Sequence, residues 1–295
     1  MRILVTGGAG FIGAHLVNRL AASTGAGDIL VLDNLHRGHS LDSLPKSVEF
    51  RKGDIRDRDA VADAVSGRDI VFHLAAQSNV MGAVSDPGYA FSTNVVGTNT
   101  VLEAAAAAGV KRLVFTSSRE VYGDPKSTPV LETAAMRAKN AYGASKVAGE
   151  VYCRLASQRG LETAVLRLAN VYGSGDRDRV IPLFATAARA GKPITIFGSG
   201  KTLDFVWIDT VVDALIQAGC GRYIRGPLNV GSGKGTTLLD LARRIVGLTK
   251  SSSSIEVTEE RDQEVGRFVA DITRARRLLG IQAPEDPLWA LPKMM

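Results

Sequence analysis

Short apolar runs alternate with segments of helical periodicity along the first two thirds of the chain. The helical segments include residues 14–22, residues 57–65, where Asp57 is placed to cap the helix, and residues 89–108. Strands are predicted at residues 3–6, 29–32, 48–51, 69–74, 111–116 and 162–167. This alternation predicts an α/β fold built on a doubly wound parallel sheet.

The last third of the chain is less regular. Helical patterns occur near residues 181–190, after residue 209 and over residues 237–246, with short apolar runs at 194–197 and 228–231. We expect residues 1–167 to form one domain, joined by about 204–232. Residues 168–203 and 233–295 are then expected to form a smaller C-terminal α/β domain.

A glycine-rich loop lies between the first predicted strand and the first helix, with Gly7, Gly10 and Gly13 in a G-x-x-G-x-x-G spacing. Such a loop lets the backbone approach a pyrophosphate, which is then held at the helix N-terminus by free N–H groups and the helix dipole. The spacing differs from the more familiar G-x-G-x-x-G, but its strand-to-helix context indicates dinucleotide binding.

Asp33 follows the second strand, about 20 positions beyond the glycine loop. A carboxylate there accepts hydrogen bonds from the hydroxyls of an adenosine ribose and repels a 2′-phosphate, which favours NAD over NADP. Arg37 lies close enough to complicate this preference. Asp54 is expected to face the adenine amino group with Ile55 packed on the ring, and the small pair at residues 75–76 suits close backbone contact with the ligand.

Tyr142 and Lys146 are four residues apart in a helix-compatible run, so both side chains leave the same helical face. A neighbouring ammonium is expected to lower the pKa of the phenol, which is about 10 when unperturbed. The pair is then suited to take a proton from an alcohol while the dinucleotide takes a hydride. Ser117 and Ser118, at the end of the fifth apolar run, add a hydroxyl to this site.

The composition excludes several other classes of protein. The chain has 295 residues with 45% hydrophobic and 22% charged residues, ordinary values for a globular protein. The net charge of +6 comes from scattered basic residues without interleaved aromatics, so no nucleic-acid partner is expected. An anionic small substrate or a solvated surface explains that charge equally well.

The cysteines, the histidines and the hydropathy pattern bear on redox state, metal binding and membrane association. Cys153 and Cys220 occur in helical, apolar contexts and are expected to be reduced core residues. No metal site is predicted from the four histidines, His15, His36, His39 and His73, because they form no ligand pair. An apolar run of about 18 residues is missing, so we expect a soluble, cytoplasmic protein with no membrane partner.

Together these motifs resemble the extended short-chain dehydrogenase/reductase superfamily, specifically its sugar-nucleotide epimerase/dehydratase branch. The matching segments are residues 6–13, 33–35, 53–55, 73–76, 117–118, 142–146, 167–173, 191–198, 204–205 and 270–271. The resemblance implies a Rossmann domain that binds NAD, a smaller domain that binds a nucleotide sugar, and a homodimer formed through two long helices. Expected NAD contacts are Gly7, Gly10, Phe11, Ile12, Gly13, Asp33, Asn34, Arg37, Gly38, Asp54, Ile55, Leu74, Ala75, Ala76, Asn94, Thr116, Tyr142, Lys146 and Leu168.

The resemblance also assigns roles to residues of the active site. It implies that Tyr142 is the catalytic base, Lys146 its electrostatic partner and Ser118 a hydrogen-bond partner of the reacting sugar oxygen. Asn170 and Arg261 are expected at the nucleotide phosphates, residues 195 and 197 at the base, and Glu264 at the nucleotide ribose. The full set of expected substrate contacts is Ser78, Ser118, Arg119, Asn170, Thr195, Phe197, Arg261 and Glu264.

Three reactions of a transient 4-keto sugar divide this family. Epimerisation at C4 leads, with a UDP-hexose as the favoured substrate, because it needs only Tyr142, Lys146, Ser118 and room for the sugar to turn. Dehydration is disfavoured because Arg119 stands where dehydratases carry an acid. Glu120 leaves decarboxylation of a nucleotide-glucuronate open, unless it only forms an ion pair with Arg119.

Two further expectations concern function and the nucleotide end of the site. A regulatory protein that senses the dinucleotide without turnover is the third reading, which the retained Ser118, Tyr142 and Lys146 disfavour. Leu203 replaces an arginine that usually contacts the phosphates, and we expect compensation from Arg261, Lys201 or Arg177.

Overall fold

A computed structural model describes residues 1–24, 28–38 and 41–295, so His39 lies outside the described residues. The strands are β1 Ile3–Thr6, β2 Ile29–Asp33, β3 Glu49–Lys52, β4 Ile70–His73, β5 Arg112–Ser118, β6 Glu162–Leu168, β7 Asn170–Tyr172, β8 Ile194–Phe197, β9 Thr202–Trp207, β10 Pro227–Val230, β11 Gly235–Thr237 and β12 Ile255–Thr258. The helices are α1 Phe11–Thr24, α2 Arg58–Val65, α3 Val80–Ser85, α4 Pro87–Phe91, α5 Thr98–Ala107, α6 Ala141–Gln158, α7 Val180–Arg189, α8 Ile208–Cys220, α9 Leu238–Thr249 and α10 Thr273–Leu279.

The central sheet has the strand order β10-β6-β5-β4-β1-β2-β3, and all its pairings are parallel. Its inner strands are buried on both faces, which explains why β1 and β4 read as continuous apolar runs rather than alternating ones. Apolar layers cover both faces of the sheet. The predicted α/β class with a doubly wound parallel sheet is therefore confirmed. The strand order reverses direction between β1 and β4, and their carboxyl ends open a crevice at that point.

Two small sheets extend the molecule beyond the carboxyl ends of the large one. The strands β7, β9 and β11 form one of them, and β8 pairs with β12 in the other. The chain returns to the large sheet at β10, which pairs with β6. The expected division near residue 204 falls inside β9, whose partners belong to a small sheet.

The predicted helix over residues 89–108 is interrupted in the structure. Between α4 and α5 the backbone of Ser92–Gly97 is π-helical. Within that segment the carboxamide of Asn94 accepts from the backbone N–H of Gln77 at 2.7 Å and donates to its carbonyl oxygen at 3.1 Å. It also donates to Oγ of Ser145 at 2.9 Å. These long-range bonds tie the helix to β4 and α6, and no local sequence pattern reports them.

Other local predictions have mixed outcomes. Asp57 caps α2, accepting from the N–H groups of Asp59 and Ala60 at 3.0 and 3.1 Å. Cys153 is a buried free thiol, as predicted, but the prediction that Cys220 lies in the core is wrong. Cys220 is the last residue of α8 and is exposed. Within the described ranges, each helix is too short or too polar to cross a membrane.

Candidate active site

The glycine loop packs directly against the end of β4. A Cβ atom added to Gly7, whose φ is +72°, would lie 2.5 Å from the backbone nitrogen of Ala75. A Cβ atom at Gly13 would lie 2.2 Å from the carbonyl oxygen of Gly7. Both distances exclude a side chain, so these glycines let α1 begin in contact with the strand ends. The N-terminus of α1 therefore faces the crevice, where its free N–H groups favour an anion.

Asp33 is held at the edge of the same loop. One carboxylate oxygen accepts from the N–H of Ala9 at 3.1 Å and the other from the N–H of Leu35 at 2.8 Å. Arg37 turns away from it, donating to Oγ of Ser78 at 3.0 Å and forming an ion pair with Asp178. Because Arg37 is already engaged, its presence does not weaken the preference for NAD that Asp33 indicates.

A cleft of about 780 Å³ runs from the glycine loop to β8. It is lined by all eight predicted substrate contacts, by Glu120, and by the predicted NAD contacts Gly7, Gly10, Phe11, Ile12, Gly13, Asp33, Asn34, Arg37, Ile55, Leu74, Ala75, Ala76, Thr116, Tyr142, Lys146 and Leu168. The structure does not bring the other three, Gly38, Asp54 and Asn94, to its wall.

Asp54 and Asn94 are engaged elsewhere. Asp54 accepts from Nε of Arg56 at 2.9 Å and from Nδ2 of Asn34 at 3.0 Å. These bonds, led by that from Arg56, lower the pKa of Asp54 to about 2. Asn94 is 1% exposed and holds the π-helical segment, so its role is to shape the wall from behind.

Tyr142 and Lys146 lie at the start of α6 and face the carboxyl end of β5. Asn140 caps this helix, accepting from the N–H of Gly143 at 2.7 Å. Gly143 has no room for a Cβ atom, which would lie 2.5 Å from the carbonyl oxygen of Glu120. The Lys146 ammonium donates to the carbonyl oxygen of Thr116 at 2.9 Å and lies 5.8 Å from the Tyr142 ring centroid. The two side chains share one face, as their spacing predicts.

Burial dominates the protonation of this pair. It raises the pKa of Tyr142, against the charge of Arg179 and a hydrogen bond with Ser118. This direction is opposite to the lowering expected from the sequence, because desolvation of the phenolate outweighs the attraction of nearby cations. Burial also lowers the pKa of Lys146 to about 8.

Arg119 and Glu120 form an ion pair inside the cleft, with Nη2 and Oε1 separated by 2.9 Å. Asn140 donates to the other oxygen of Glu120 at 2.8 Å. Nε of Arg119 donates to Oδ1 of Asn170 at 3.1 Å. The ion pair left open at the sequence level is therefore present, and it fixes both side chains beside Ser118.

A buried polar network lies behind α6, and the sequence analysis did not predict it. Glu150 accepts from Oγ of Ser117 at 2.5 Å and from Nε and Nη2 of Arg167 at 2.9 and 2.7 Å. Arg167 also donates to the hydroxyl of Tyr122 at 2.8 Å. Glu150 lies one helical turn after Lys146 on the same face, and that spacing was the available signal. The network joins α6 to β5 and β6.

The far end of the cleft contains the predicted nucleotide contacts. The guanidinium of Arg261 lies 3.5 Å above the centroid of the Phe197 ring. Glu264 pairs with Arg261 at 3.3 Å and with the buried Lys201 at 2.5 Å. Arg177 also lines the cleft, so the three cations expected to replace the arginine missing at Leu203 are all present there.

Several buried polar atoms of the cleft have no hydrogen-bond partner within the described chain. They are Nη1 of Arg119, Nδ2 of Asn170, Oδ2 of Asp176 and Oγ1 of Thr93. Buried polar groups are rarely left without a hydrogen-bond partner. Where one is, a group that pairs with a bound ligand is one of the few explanations. With the glycine loop and Asp33, this donor and acceptor set fits a dinucleotide together with a second polar ligand.

Comparisons with known proteins agree with this geometry. A UDP-glucose 4-epimerase of Mycolicibacterium smegmatis is 39% identical over 295 residues, covering 96% of this chain and 93% of that protein. The UDP-glucuronic acid decarboxylase 2 of Arabidopsis thaliana is 31% identical over 306 residues, covering 100% of this chain and 67% of that protein. A crystal structure of the Thermotoga maritima UDP-glucose 4-epimerase with UDP-glucose superposes with a TM-score of 0.93 at 31% identity, covering 99% of this chain and 96% of that one.

The family model of NAD-dependent epimerases and dehydratases matches residues 3–220, which contain the glycine loop, Asp33, Ser118, Tyr142 and Lys146. The chain belongs to the NAD-dependent epimerase/dehydratase family.

Proposed function

We propose that the protein is an NAD-dependent nucleotide-sugar 4-epimerase that acts through a transient 4-keto sugar, with a UDP-hexose as substrate. The observation that carries this proposal is the meeting of Ser118, Tyr142 and Lys146 in one cleft with the glycine loop and Asp33. The epimerase relatives at 39% and 31% identity support it. Bound NAD would supply a hydride acceptor that returns the hydride to the sugar.

The residues of this chain supply the proton chemistry. The phenolate oxygen of Tyr142 takes the proton of the sugar C4 hydroxyl, and the resulting phenol later gives it back. Ser118, which hydrogen-bonds to Tyr142, holds the reacting oxygen in line. The Lys146 ammonium, fixed by the carbonyl oxygen of Thr116, stabilises negative charge on the phenol oxygen. The cleft of about 780 Å³ is lined by β5 and by the segment after β7, and we infer that the keto sugar has room there to turn and present its other face.

Decarboxylation of a nucleotide-glucuronate is the second candidate, because Glu120 lies in the cleft and a decarboxylase is among the relatives. The engagement of Glu120 weighs against it, because its carboxylate is already paired with Arg119 and accepts a hydrogen bond from Asn140.

One incubation separates these functions. The purified protein is mixed with UDP-glucose, UDP-N-acetylglucosamine or UDP-glucuronate, and the products are resolved by NMR. We expect C4 epimers without net NADH. A pentose with carbon dioxide selects decarboxylation, and a 4-keto-6-deoxy sugar selects dehydration. The variant Tyr142→Phe is expected to lose turnover by about a hundredfold or more while still binding NAD. Full turnover by this variant would contradict the assigned base.

We propose a homodimer formed through α5 and α6. Exposed apolar side chains follow this side of the molecule, including Phe91, Val96, Tyr152 and Leu155, which are 38–59% exposed. A helical face of this kind is typically covered by a partner. A monomeric mass at micromolar concentration would contradict the dimer. A cytoplasmic location stays a prediction, which cell fractionation tests.

A further inference from the structure

The segment that connects β7 to α7, residues 173–179, lies on the first turn of α1. Nε2 of His15 donates to the carbonyl oxygen of Ser174 at 2.8 Å. The guanidinium of Arg179 lies 5.3 Å from the centroid of the Phe11 ring. Phe11 is the first residue of α1, and its ring meets that of His15 edge to face. This connecting segment therefore covers the helix start at which the glycine loop favours an anion.

Arg179 has donors that are open to the cleft. Its Nη1 donates to Oδ1 of Asp176 at 3.0 Å, and this bond fixes the direction of the guanidinium. Its Nε and Nη2 have no partner among the described residues, and the side chain is 36% exposed. Arg179 lines the cleft, and its charge also opposes the rise in the pKa of Tyr142. The guanidinium thus lies between the glycine loop and the catalytic tyrosine, along the path that a dinucleotide must follow.

An ion pair joins the connecting segment to the loop after β2. Arg37, in that loop, pairs with Asp178 and donates to Oγ of Ser78, which follows β4. Arg37 comes four positions after Asp33, the expected ribose contact, and both line the cleft. The side chains of Arg37 and Asp178 are 28% and 49% exposed, as expected for a contact at the mouth of the cleft. The pair therefore links two rims of the part of the cleft that is suited to the cofactor.

Positive charge is concentrated at this point. Burial and the charge of Arg179 both lower the pKa of Arg37, so the two guanidinium groups lie within reach of each other's charge. The N-terminus of α1 adds its own partial positive charge. Because like charges repel, an anion among these groups stabilises the arrangement. A pyrophosphate is the anion that the glycine loop already indicates.

We propose that the connecting segment closes over the bound dinucleotide, that Arg179 is a ligand of its pyrophosphate, and that the Arg37–Asp178 pair holds the segment closed. A guanidinium presents donors in a fork that matches phosphate oxygens. Asp176 is then a positioning residue, because it holds that guanidinium toward the cleft. The inference concerns the cofactor and does not depend on which sugar reaction the protein catalyses.

The first test measures NAD affinity by titration calorimetry on protein freed of dinucleotide. Arg179→Gln removes the charge and keeps a group that can donate to Asp176, and we expect it to raise the NAD dissociation constant by about tenfold or more. Arg222→Gln, at an exposed position that does not line the cleft, is the matched control and should leave that constant unchanged. An unchanged NAD dissociation constant in Arg179→Gln overturns the inference.

A second measurement separates the pyrophosphate of the cofactor from the diphosphate of a nucleotide sugar. UDP is titrated into the wild type and into Arg179→Gln, both saturated with NAD. We expect the variant to weaken UDP binding far less than it weakens NAD binding. If UDP is weakened as much as NAD or more, Arg179 is a ligand of the nucleotide sugar, and the inference is overturned.

The role of the ion pair is tested by the rate at which the holoprotein releases NAD, with an excess of an NAD-consuming enzyme removing the free cofactor. Asp178→Asn removes the charge and keeps the side-chain volume, and we expect release to become about twofold to fivefold faster. Because salt screens an exposed pair, release from the wild type should accelerate with salt more than release from this variant. A rate and a salt dependence equal to those of the wild type overturn the inference.

The release assay starts from protein with its cofactor bound, so it also decides the inference if Arg179→Gln does not stay folded without NAD. Faster release from Arg179→Gln supports the inference, and an unchanged rate overturns it. Failure of the proposed function gives a different result. If no nucleotide sugar is turned over, the epimerase proposal fails, whereas the NAD affinity and release measurements keep their meaning.

Discussion

Replacing Lys146 by methionine should make the protein more stable and much less active. Lys146 is 3% exposed, and its ammonium lies 4.9 Å from the centroid of the Phe115 ring and donates a hydrogen bond to the carbonyl oxygen of Thr116. Burial lowers its pKa from 10.5 to about 8. At about 1.4 kcal/mol for each tenfold change in protonation, the charged lysine destabilises the fold by roughly 3 kcal/mol at pH 7.

The methionine side chain has a similar volume and removes that cost. The carbonyl of Thr116 loses its donor, which costs about 1 kcal/mol. We therefore expect Lys146→Met to raise the free energy of unfolding by about 2 kcal/mol at pH 7. The catalytic rate should fall by about a hundredfold or more, because the phenolate of Tyr142 loses its cation.

The pH dependence gives this prediction a specific sign. Between about pH 8 and 10.5 the unfolded chain keeps the Lys146 proton and the folded chain does not, so the wild type gains stability as the pH rises through this window. The gain of the variant over the wild type should therefore be largest at pH 7 and shrink above pH 8.

The assay is urea unfolding at several pH values, on protein freed of bound dinucleotide, because a ligand of the folded state adds its own binding energy. Lys126→Met, at an exposed position, is the matched control and should change stability little. A variant that is less stable than the wild type at pH 7, or a difference that stays constant up to pH 10, would refute this reasoning.

The remaining predictions concern packing around the site. Gly13→Ala places a Cβ atom 2.2 Å from the carbonyl oxygen of Gly7, so we expect both the NAD affinity and the melting temperature to fall. Titration calorimetry measures the affinity, and scanning calorimetry measures the melting temperature. Gly247→Ala, where nothing lies within 4 Å of the added atom, is its control and should be neutral or stabilising. Glu150→Gln leaves the buried Arg167 without its anion and should cost about 3–5 kcal/mol in urea unfolding; an unchanged midpoint would contradict this.

Local patterns in the sequence were sufficient to predict the large sheet, the glycine loop and the Tyr142–Lys146 pair. The strands of the large sheet are buried on both faces, so their apolar runs are readable one by one. The glycine loop and the Tyr142–Lys146 spacing are equally local, because each depends on the geometry of one turn or one helix. Asp33 was placed by its position at the end of β2.

The tertiary structure decided the features that depend on distant partners or on burial. Arg37 meets Asp178, which is 141 positions away, and Glu150 meets Arg167 across two elements. Asn94 bonds to Gln77 and Ser145 rather than facing the cleft, and Cys220 emerges at a helix end. Burial also reversed the expected direction of the Tyr142 pKa. Spacing along a chain fixes which side chains share a face, whereas desolvation and long-range pairing depend on what the rest of the chain packs against that face.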